Sequence, residues 1–446
     1  MAVPRRAAAP PTDPCGAAPS ERDRVVDLVR AASILVVVLG HWTMAAVERD
    51  GADGIRLRNV LEVNPGLHPV TWVLQVMPLF FFAAGFTNGL ALERRGRGTR
   101  AFLSGRLDRV LRPTLPFVAV WLLLAWALIA MGVPPDVVDT AGANAAIVLW
   151  FLAVYLVLAL VAPAQVAVHR RFPWLLVAVL PLVALALDRT QGSSWAGLGF
   201  LNYVVVFAFC QELGLLYADR RLIDLPRRAW WLVLAGSGAL LVAATVLGPY
   251  PVSMIDLPGQ AMSNMLPPSV CVVLVGLLQV ALLMVARPSL ERWLQRPRPW
   301  RATVAVNSCV VTIFLWHLTG FVAASGLLLG LGLPLPPVGT AAWWAHKVLW
   351  LAVAGACTVV LVRLMSWPER RPPRRAPRPA PAPGVLVGPG AVLAAAGLAM
   401  IASAGFAAPF EHGGISLAGV SFAAAPGAAL LVVGWLLSRW PAAPAR

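Results

Sequence analysis

The amino-acid sequence predicts an all-α polytopic membrane protein with about 12 transmembrane helices. Of its 446 residues, 59% are hydrophobic and 13% are charged, whereas ordinary globular domains carry roughly 25% charged residues. Long apolar stretches recur along the whole chain, and in lipid such stretches form helices because their backbone groups find no water to hydrogen-bond. The formal net charge of +16 falls in short loops between these stretches, so it indicates membrane topology and does not indicate nucleic-acid binding.

Twelve stretches are apolar enough for a spanning helix, which needs roughly 20 mostly apolar residues. The fifth is short and contains Pro181. The expected spans are about 26–46, 71–91, 113–132, 145–167, 173–187, 200–218, 229–248, 267–286, 303–331, 341–365, 385–406 and 416–438.

Basic residues lie almost entirely on one side of these spans. Of the 36 basic residues, 31 lie on the side of the spans that also holds both chain ends. The loops of the other side contain only Arg49, Arg56, Arg58, Arg189 and Lys347. This asymmetry predicts a multi-pass protein of the cell membrane with cytoplasmic N- and C-termini.

Composition also divides the chain. Residues 1–25 are rich in Pro, Ala and charge, which predicts a disordered cytoplasmic arm and not a signal peptide. Residues 26–369 form the main membrane domain, and a Pro/Arg-rich linker (370–384) separates it from two additional helices (385–438) and a cytoplasmic tail (439–446). The five cysteines are scattered without CxxC spacing, so we expect neither a disulfide framework nor a metal site.

The first span carries the residues that a bilayer tolerates least. Arg30 and His41 are eleven residues apart, and at about 100° per residue this is three turns plus roughly 20°, so both project from one face about 16 Å apart along the axis. Asp27 lies three residues before Arg30 and can pair with it. Arg30 alone is also consistent with interfacial snorkelling, and His41 alone with a packed core imidazole. Together on one face they favour a cavity-lining site.

Several segments together resemble the membrane-bound acyltransferase 3 family over roughly residues 24–372. In that family an Arg, ten residues and then a His mark the proposed active site. A Ser usually precedes the Gly of the second segment, where Ala84 stands here. The segments are "DLVRAASILVVVLGH" (27–41), "MPLFFFAAGFTNG" (77–89), "FLSGRLDRVLRPTLPF" (102–117), "LWFLAVYL" (149–156), "NSCVVTIFLWHLTG" (307–320) and "SWPERRP" (366–372).

This resemblance implies a ten-helix acyltransferase core and an enzyme that moves an acyl group, often acetyl, from cytoplasmic acyl-CoA to a hydroxyl. The implied acceptors are outward-facing glycans, lipid-linked sugars or glycosylated metabolites. We therefore expect membrane lipids, an acyl-CoA donor substrate and a carbohydrate or glycolipid acceptor as partners. No permanently bound cofactor or metal is expected, and a homodimer is left open.

The resemblance and the chemistry of the side chains together assign roles. Neutral histidine is suited to take a proton from an alcohol near neutral pH, so His41 is expected to be the general base or, alternatively, a transient acyl carrier. Arg30, braced by Asp27, is expected to hold the pyrophosphate or the thioester oxygen of the donor.

Two further groups are assigned with alternatives. Arg106, Arg109 and Arg112 follow one another at three-residue steps and are read either as a cradle for the CoA phosphates or as positive-inside anchors. His317, Trp150 and Phe151 are read either as acceptor or tunnel residues or as core and interfacial side chains.

Two other functions remain open from the sequence. Twelve spans with both ends inside also fit a secondary transporter, although no second copy of the Asp27–Arg30–His41 pattern appears and the linker divides the spans ten plus two. The other alternative is a catalytically inactive relative that binds lipid-linked glycans.

Overall fold

The computed structural model of the chain describes residues 23–50, 54–93, 98–260, 262–370, 384–406, 413–417 and 420–439. The predicted disordered arm up to residue 22, the linker from 371 to 383 and the tail from 440 onward lie outside the described residues.

Helices make up most of the described chain. They are α1 (Arg24–Met44), α2 (Val60–Val63), α3 (Thr71–Leu74), α4 (Met77–Glu93), α5 (Thr99–Ala130), α6 (Pro135–Ala146), α7 (Leu149–Arg171), α8 (Leu175–Asp188), α9 (Ala196–Gly199), α10 (Asn202–Ala218), α11 (Arg227–Val246), α12 (Val270–Leu294), α13 (Pro297–Asn307), α14 (Val310–Gly330), α15 (Ala341–Met365), α16 (Trp367–Arg370), α17 (Gly384–Ala404) and α18 (Ala424–Arg439). A 3-10 helix covers Pro65–Val70, and two antiparallel pairs of short strands join β1 (Ala45–Asp50) to β2 (Gly54–Asn59) and β3 (Gly413–Leu417) to β4 (Val420–Phe422).

Ten helical segments of the described residues are long and apolar enough to cross a membrane. The predicted all-α polytopic membrane fold is therefore confirmed. The predicted fifth and twelfth spans correspond to the shorter apolar helices α8 and α18, of 14 and 16 residues. The count of twelve spans is therefore not confirmed.

The predicted ninth span, 303–331, is in fact two helices. α13 ends at Asn307 and α14 begins at Val310. The Asn307 side chain donates from Nδ2 to the Asp27 carbonyl oxygen at 2.8 Å, which fixes the end of α13 against α1. Because a helix break precedes α14, the backbone N–H groups of its first turn have no partner within the helix. Those of Val311 and Thr312 donate to the Glu369 carboxylate.

α1 and α14 run side by side in the same direction. The Asp23 carboxylate caps the start of α1 by accepting from the backbone N–H groups of Val25 and Val26 at 2.8 and 3.1 Å. One end of the helix pair is joined by the Asn307 bond, and further along the Trp42 indole N–H donates to the His317 carbonyl oxygen at 2.8 Å. We call the end of the bundle where α1 begins the arginine-rich end, because Arg24 and Arg30 lie there, and the other the opposite end.

α15 returns in the reverse direction. Near its start, Lys347 donates to the Ala45 carbonyl oxygen, just after α1 ends. Past its end, α16 brings Glu369 to the first turn of α14. Side-chain to backbone hydrogen bonds thus tie α1 to α14, α15 to the residue after α1, and α16 to the start of α14.

The last two helices are part of the bundle. α17 packs against α18 and also against α5, α6 and α7. Beyond α17, the Phe406 ring lies 5.7 Å from Trp121 and 5.9 Å from Phe117, both on α5. At the end of α18, Arg439 forms an ion pair with Asp108 of α5. The C-terminal helix pair, α17 and α18, therefore packs against α5 and α7.

Glycine permits a close crossing of α4 and α10. At Gly85 of α4, an added Cβ would collide with the backbone carbonyl of Gln211 on α10, and at Gly214 of α10 it would collide with the carbonyl of Phe82. Since the obstacles are backbone atoms, the two helices would have to separate to admit even a methyl group.

Gly85→Ala should lower the midpoint of thermal unfolding of the detergent-solubilised protein, because overpacking costs about 1–3 kcal/mol. Gly105→Ala is the matched control: Gly105 lies inside α5, is exposed, and has open space around its Cα. There the better helix propensity of alanine should leave the midpoint unchanged or raise it. Equal midpoints for the two variants would contradict the proposed crossing.

Candidate active site

Two histidines from distant parts of the chain meet inside the bundle. Nδ1 of His41 lies 2.8 Å from Nε2 of His317, and the ring planes are within 6° of parallel with centroids 5.1 Å apart. His317 is fully buried, whereas His41 is partly exposed. The rings are therefore held edge to edge by one N···N hydrogen bond.

The partners of the two rings assign the proton positions. Nδ1 of His317 lies 2.6 Å from the Phe314 carbonyl oxygen, and a carbonyl only accepts, so Nδ1 of His317 must donate. In the neutral ring Nε2 of His317 is then the acceptor, and Nδ1 of His41 must donate to it. Neutral His41 consequently carries an unshared electron pair on Nε2.

This hydrogen-bond chain gives His41 the form that a general base requires. The Phe314 carbonyl orients His317, and His317 in turn orients His41, which is the arrangement of a base held by a second group. When Nε2 of His41 takes up a proton, the hydrogen bond from its Nδ1–H becomes charge-assisted and stronger.

A cavity opens near the arginine-rich end and extends toward the histidines. It comprises about 610 Å³ of space, part of it open to solvent. Five helices contribute to its wall: α1, α4, α5, α7 and α14. The lining residues are Arg30, Ile34, Phe80, Ala84, Thr87, Arg106, Arg109, Val110, Phe151, Leu152, Tyr155, Val310, Val311 and Phe314.

Three guanidinium groups line this cavity, those of Arg30, Arg106 and Arg109. Arg106 is nearly buried and donates to the Thr87 carbonyl oxygen at 3.0 Å and to the Tyr155 hydroxyl at 3.4 Å. No carboxylate lines the cavity within the described part of the chain. Of these three groups only that of Arg106 is buried. Together they concentrate positive charge along one cavity wall, which is suited to a polyanionic ligand.

The predicted arginines differ in the ion pairs that they form. Asp27 lies 3.9 Å from Arg30, a long ion pair on one face of α1. Arg112 is not among the lining residues, and its guanidinium pairs with Asp108 at 2.5 Å, one turn earlier on α5. The structure therefore brings Arg106 and Arg109, but not Arg112, together with Arg30.

Aromatic rings connect the cavity to the histidines. Phe80 lies 4.9 Å from Phe151, Phe151 lies 5.0 Å from Phe314, and Phe314 lies 5.9 Å from His317, all between ring centroids. The cavity is thus cationic near the arginines and aromatic near the histidines. Its shape and polarity suit a ligand with an anionic head and a slender, less polar arm.

The aromatic pair predicted from the sequence divides between two environments. Phe151 lines the cavity, whereas Trp150 does not and packs 5.5 Å from Tyr203. Ala84, which stands where the family usually has Ser, also lines the cavity. The wall at this point carries a methyl group and offers no hydroxyl.

Glu369 caps the helix that carries His317. Its carboxylate accepts from the backbone N–H groups of Val311 and Thr312 at 3.1 and 2.9 Å and from the Thr312 hydroxyl at 2.7 Å. Burial raises the pKa of Glu369, while the hydrogen bonds from Thr312 and Val311 and the charge of Arg30 oppose this shift. A negative charge at a helix N-terminus is favourable, so Glu369 holds the start of α14 in place.

Thr87, Tyr155 and the capping role of Glu369 were not predicted from the sequence. Thr87 contributes a backbone carbonyl, for which no side-chain pattern exists. Glu369 lies 58 residues from the helix turn that it caps, beyond the range of any local capping motif.

A comparison with protein-family models matches residues 23–367 to a family described as "Acyltransferase domain". No curated protein and no solved structure matches the chain. The matched segment contains both histidines and all three cavity arginines, while α17 and α18 lie outside it.

Glu369→Gln should destabilise the protein by about 1–3 kcal/mol, because the amide group would face N–H donors that need an acceptor. The measurement is thermal unfolding in detergent. Glu291→Gln is the matched control, since Glu291 is exposed and pairs with Arg287 one turn away on α12. Unfolding of Glu369→Gln at the wild-type temperature would contradict the capping role.

Proposed function

The chain belongs to the acyltransferase 3 family of membrane proteins, and we propose that it is an O-acyltransferase acting across the membrane. It takes an acyl group, with acetyl as the expected one, from cytoplasmic acyl-CoA and transfers it to a hydroxyl of an outward-facing carbohydrate or glycolipid. The observation that carries this proposal is the His41–His317 pair beyond the aromatic end of an arginine-lined cavity.

The cavity arginines fit the donor. Coenzyme A carries several phosphate charges and a slender pantetheine arm that ends in the thioester. Arg30, Arg106 and Arg109 supply cationic N–H donors for phosphate. The basic-residue asymmetry of the sequence predicts that these arginines lie on the cytoplasmic side, where acyl-CoA is available.

His41 would perform the chemical step as a general base. Nε2 of His41 takes the proton of the acceptor hydroxyl while the oxygen attacks the thioester carbon. The resulting tetrahedral intermediate collapses by breaking the carbon–sulfur bond, and the imidazolium returns the proton to the departing CoA thiolate. The products are an ester and free CoA, and His41 is again neutral.

His317 acts through His41 and would be a positioning residue. By accepting from Nδ1–H of His41, it keeps the basic electron pair on Nε2 of His41. It also shares the positive charge that develops when His41 is protonated.

His41→Ala should lower the transfer of labelled acetyl from acetyl-CoA to membrane-associated acceptors by about 10²-fold or more, since the general base is lost. His317→Phe should lower it by a smaller factor and alter the pH profile, because His41 can then adopt either neutral tautomer. The assay uses membrane vesicles, with thermal unfolding of each variant as the folding control. Transfer at the wild-type rate by a folded His41→Ala protein would refute the assignment.

Arg109→Gln should raise the KM for acyl-CoA about tenfold with a smaller change in kcat, because one phosphate contact is lost. Arg112→Gln is the matched control on the same helix, and its KM should stay at the wild-type value because Arg112 pairs with Asp108 outside the cavity. Equal increases in KM for both variants would indicate a diffuse basic surface instead of a defined cradle.

A further inference from the structure

A second cavity lies at the opposite end of the bundle. It comprises about 300 Å³ of space, part of it open to solvent, between β1, α14, the loop after α14 and α15. Val47, Phe321, Trp343, Lys347 and Trp350 belong to its wall. The Trp350 indole is held by a hydrogen bond from Nε1 to the Ser325 hydroxyl at 2.9 Å.

The histidine pair lies between the two cavities along the bundle. On α14, Phe314 lines the first cavity and Phe321 lines the second, three residues before and four residues after His317. On the neighbouring chain segment, Ile34 lines the first cavity and Val47 the second, on either side of His41. Each cavity therefore begins about one helical turn from the histidine on α14.

The ionisable residues that line this second cavity are His346 and Lys347, of which Lys347 is the single lysine of the sequence. It is 5% exposed, and its ammonium donates to the Ala45 carbonyl oxygen. It also lies 4.9 Å from the Trp343 ring centroid and 5.2 Å from that of Phe321. Among the described residues no carboxylate forms an ion pair with it.

A buried cation without a counter-ion is costly, and the two aromatic faces offset only part of that cost. An ammonium has three N–H donors, and the Ala45 carbonyl uses one of them. The remaining donors suit an anionic oxygen of a ligand, while the apolar faces of the surrounding rings suit the C–H face of a sugar.

We propose that the second cavity is the acceptor subsite, and that it selects sugar-sized acceptors carrying an anionic group, a carboxylate or a phosphate, which Lys347 binds. This inference rests on the proposed function, in which the acceptor approaches His41 from the side opposite to acyl-CoA. The neutral hydroxyl of the same acceptor is the group that meets Nε2 of His41.

Binding of three model acceptors to the purified full-length protein tests this inference. The probes are methyl glucoside, methyl glucuronoside and methyl glucoside 6-phosphate, and affinities are measured by titration calorimetry in detergent without acyl-CoA. At least one anionic glycoside should bind about tenfold more tightly than the neutral one, as expected for one buried charge-assisted contact. The better of the two anionic probes identifies carboxylate or phosphate as the preferred group.

Lys347→Met keeps the apolar stem and should reduce that preference to less than about twofold, since the charge-assisted contact is lost. Arg189→Met, at an exposed position in another loop predicted to lie on the same side, should keep the full preference. Wild-type protein that binds the neutral glycoside as tightly as the anionic ones, or binds neither anionic probe, would overturn the inference. So would a retained preference in Lys347→Met.

The same measurements separate this inference from the proposed function. Anion-selective binding in a protein that transfers no acyl group would refute the acyltransferase activity and leave the site in place. Acyl transfer by a protein without anion-selective binding would refute the acceptor subsite and leave the acyltransferase activity in place. His41→Ala should keep the preference for the anionic probe over the neutral one, because both probes carry the hydroxyl that meets His41 and only the anionic probe uses Lys347.

Discussion

The hydrogen bond between His41 and His317 is the contact on which the rest of the site depends. It joins residues 276 positions apart in sequence and requires α1 and α14 to keep one register along their length. The Asn307 bond to the Asp27 carbonyl, the Trp42 bond to the His317 carbonyl and the Glu369 cap of α14 all hold that register. A one-residue slip of either helix would turn a ring away by about 100°.

The two cavities lie on either side of the histidine pair, as the proposed reaction requires. A catalytic group that serves reactants from both sides of a membrane has to be reachable from each side without an open aqueous channel. Here the first cavity ends in the aromatic rings of Phe80, Phe151 and Phe314, and the second begins at Phe321. Packed aromatic side chains near the histidines exclude bulk water, which in the proposed reaction would protect a thioester from hydrolysis and strengthen local electrostatic interactions.

The sequence was sufficient for the features that depend on local periodicity. Apolar runs predicted the helical membrane fold, and the spacing of Arg30 and His41 predicted a shared face of α1. Asp108 and Arg112 are four residues apart, a spacing that favours an ion pair on one helix. Arg112 accordingly pairs with Asp108 and does not line the cavity.

Features that depend on tertiary contacts could not be predicted in the same way. The sequence marked His317 as a candidate, but only the fold supplies its N···N partner and therefore the tautomer of His41. Glu369 caps α14 across 58 residues, and Lys347 meets Ala45 across 302. The break between α13 and α14 was missed because residues 303–307 at the end of α13 carry no charge and continue into the apolar run of α14. Hydropathy alone does not detect a capped helix start.

The central claim is the protonation pattern of the histidine pair, and ¹⁵N solid-state NMR of histidine-labelled protein in lipid measures it directly. The chain has six histidines, so comparison with His41→Ala and His317→Phe assigns the two relevant signals. Near neutral pH, His41 should show a protonated Nδ1 and an unprotonated Nε2, with a correlation through the hydrogen bond to Nε2 of His317. A proton on Nε2 of His41, or no correlation between the two rings, would contradict the account.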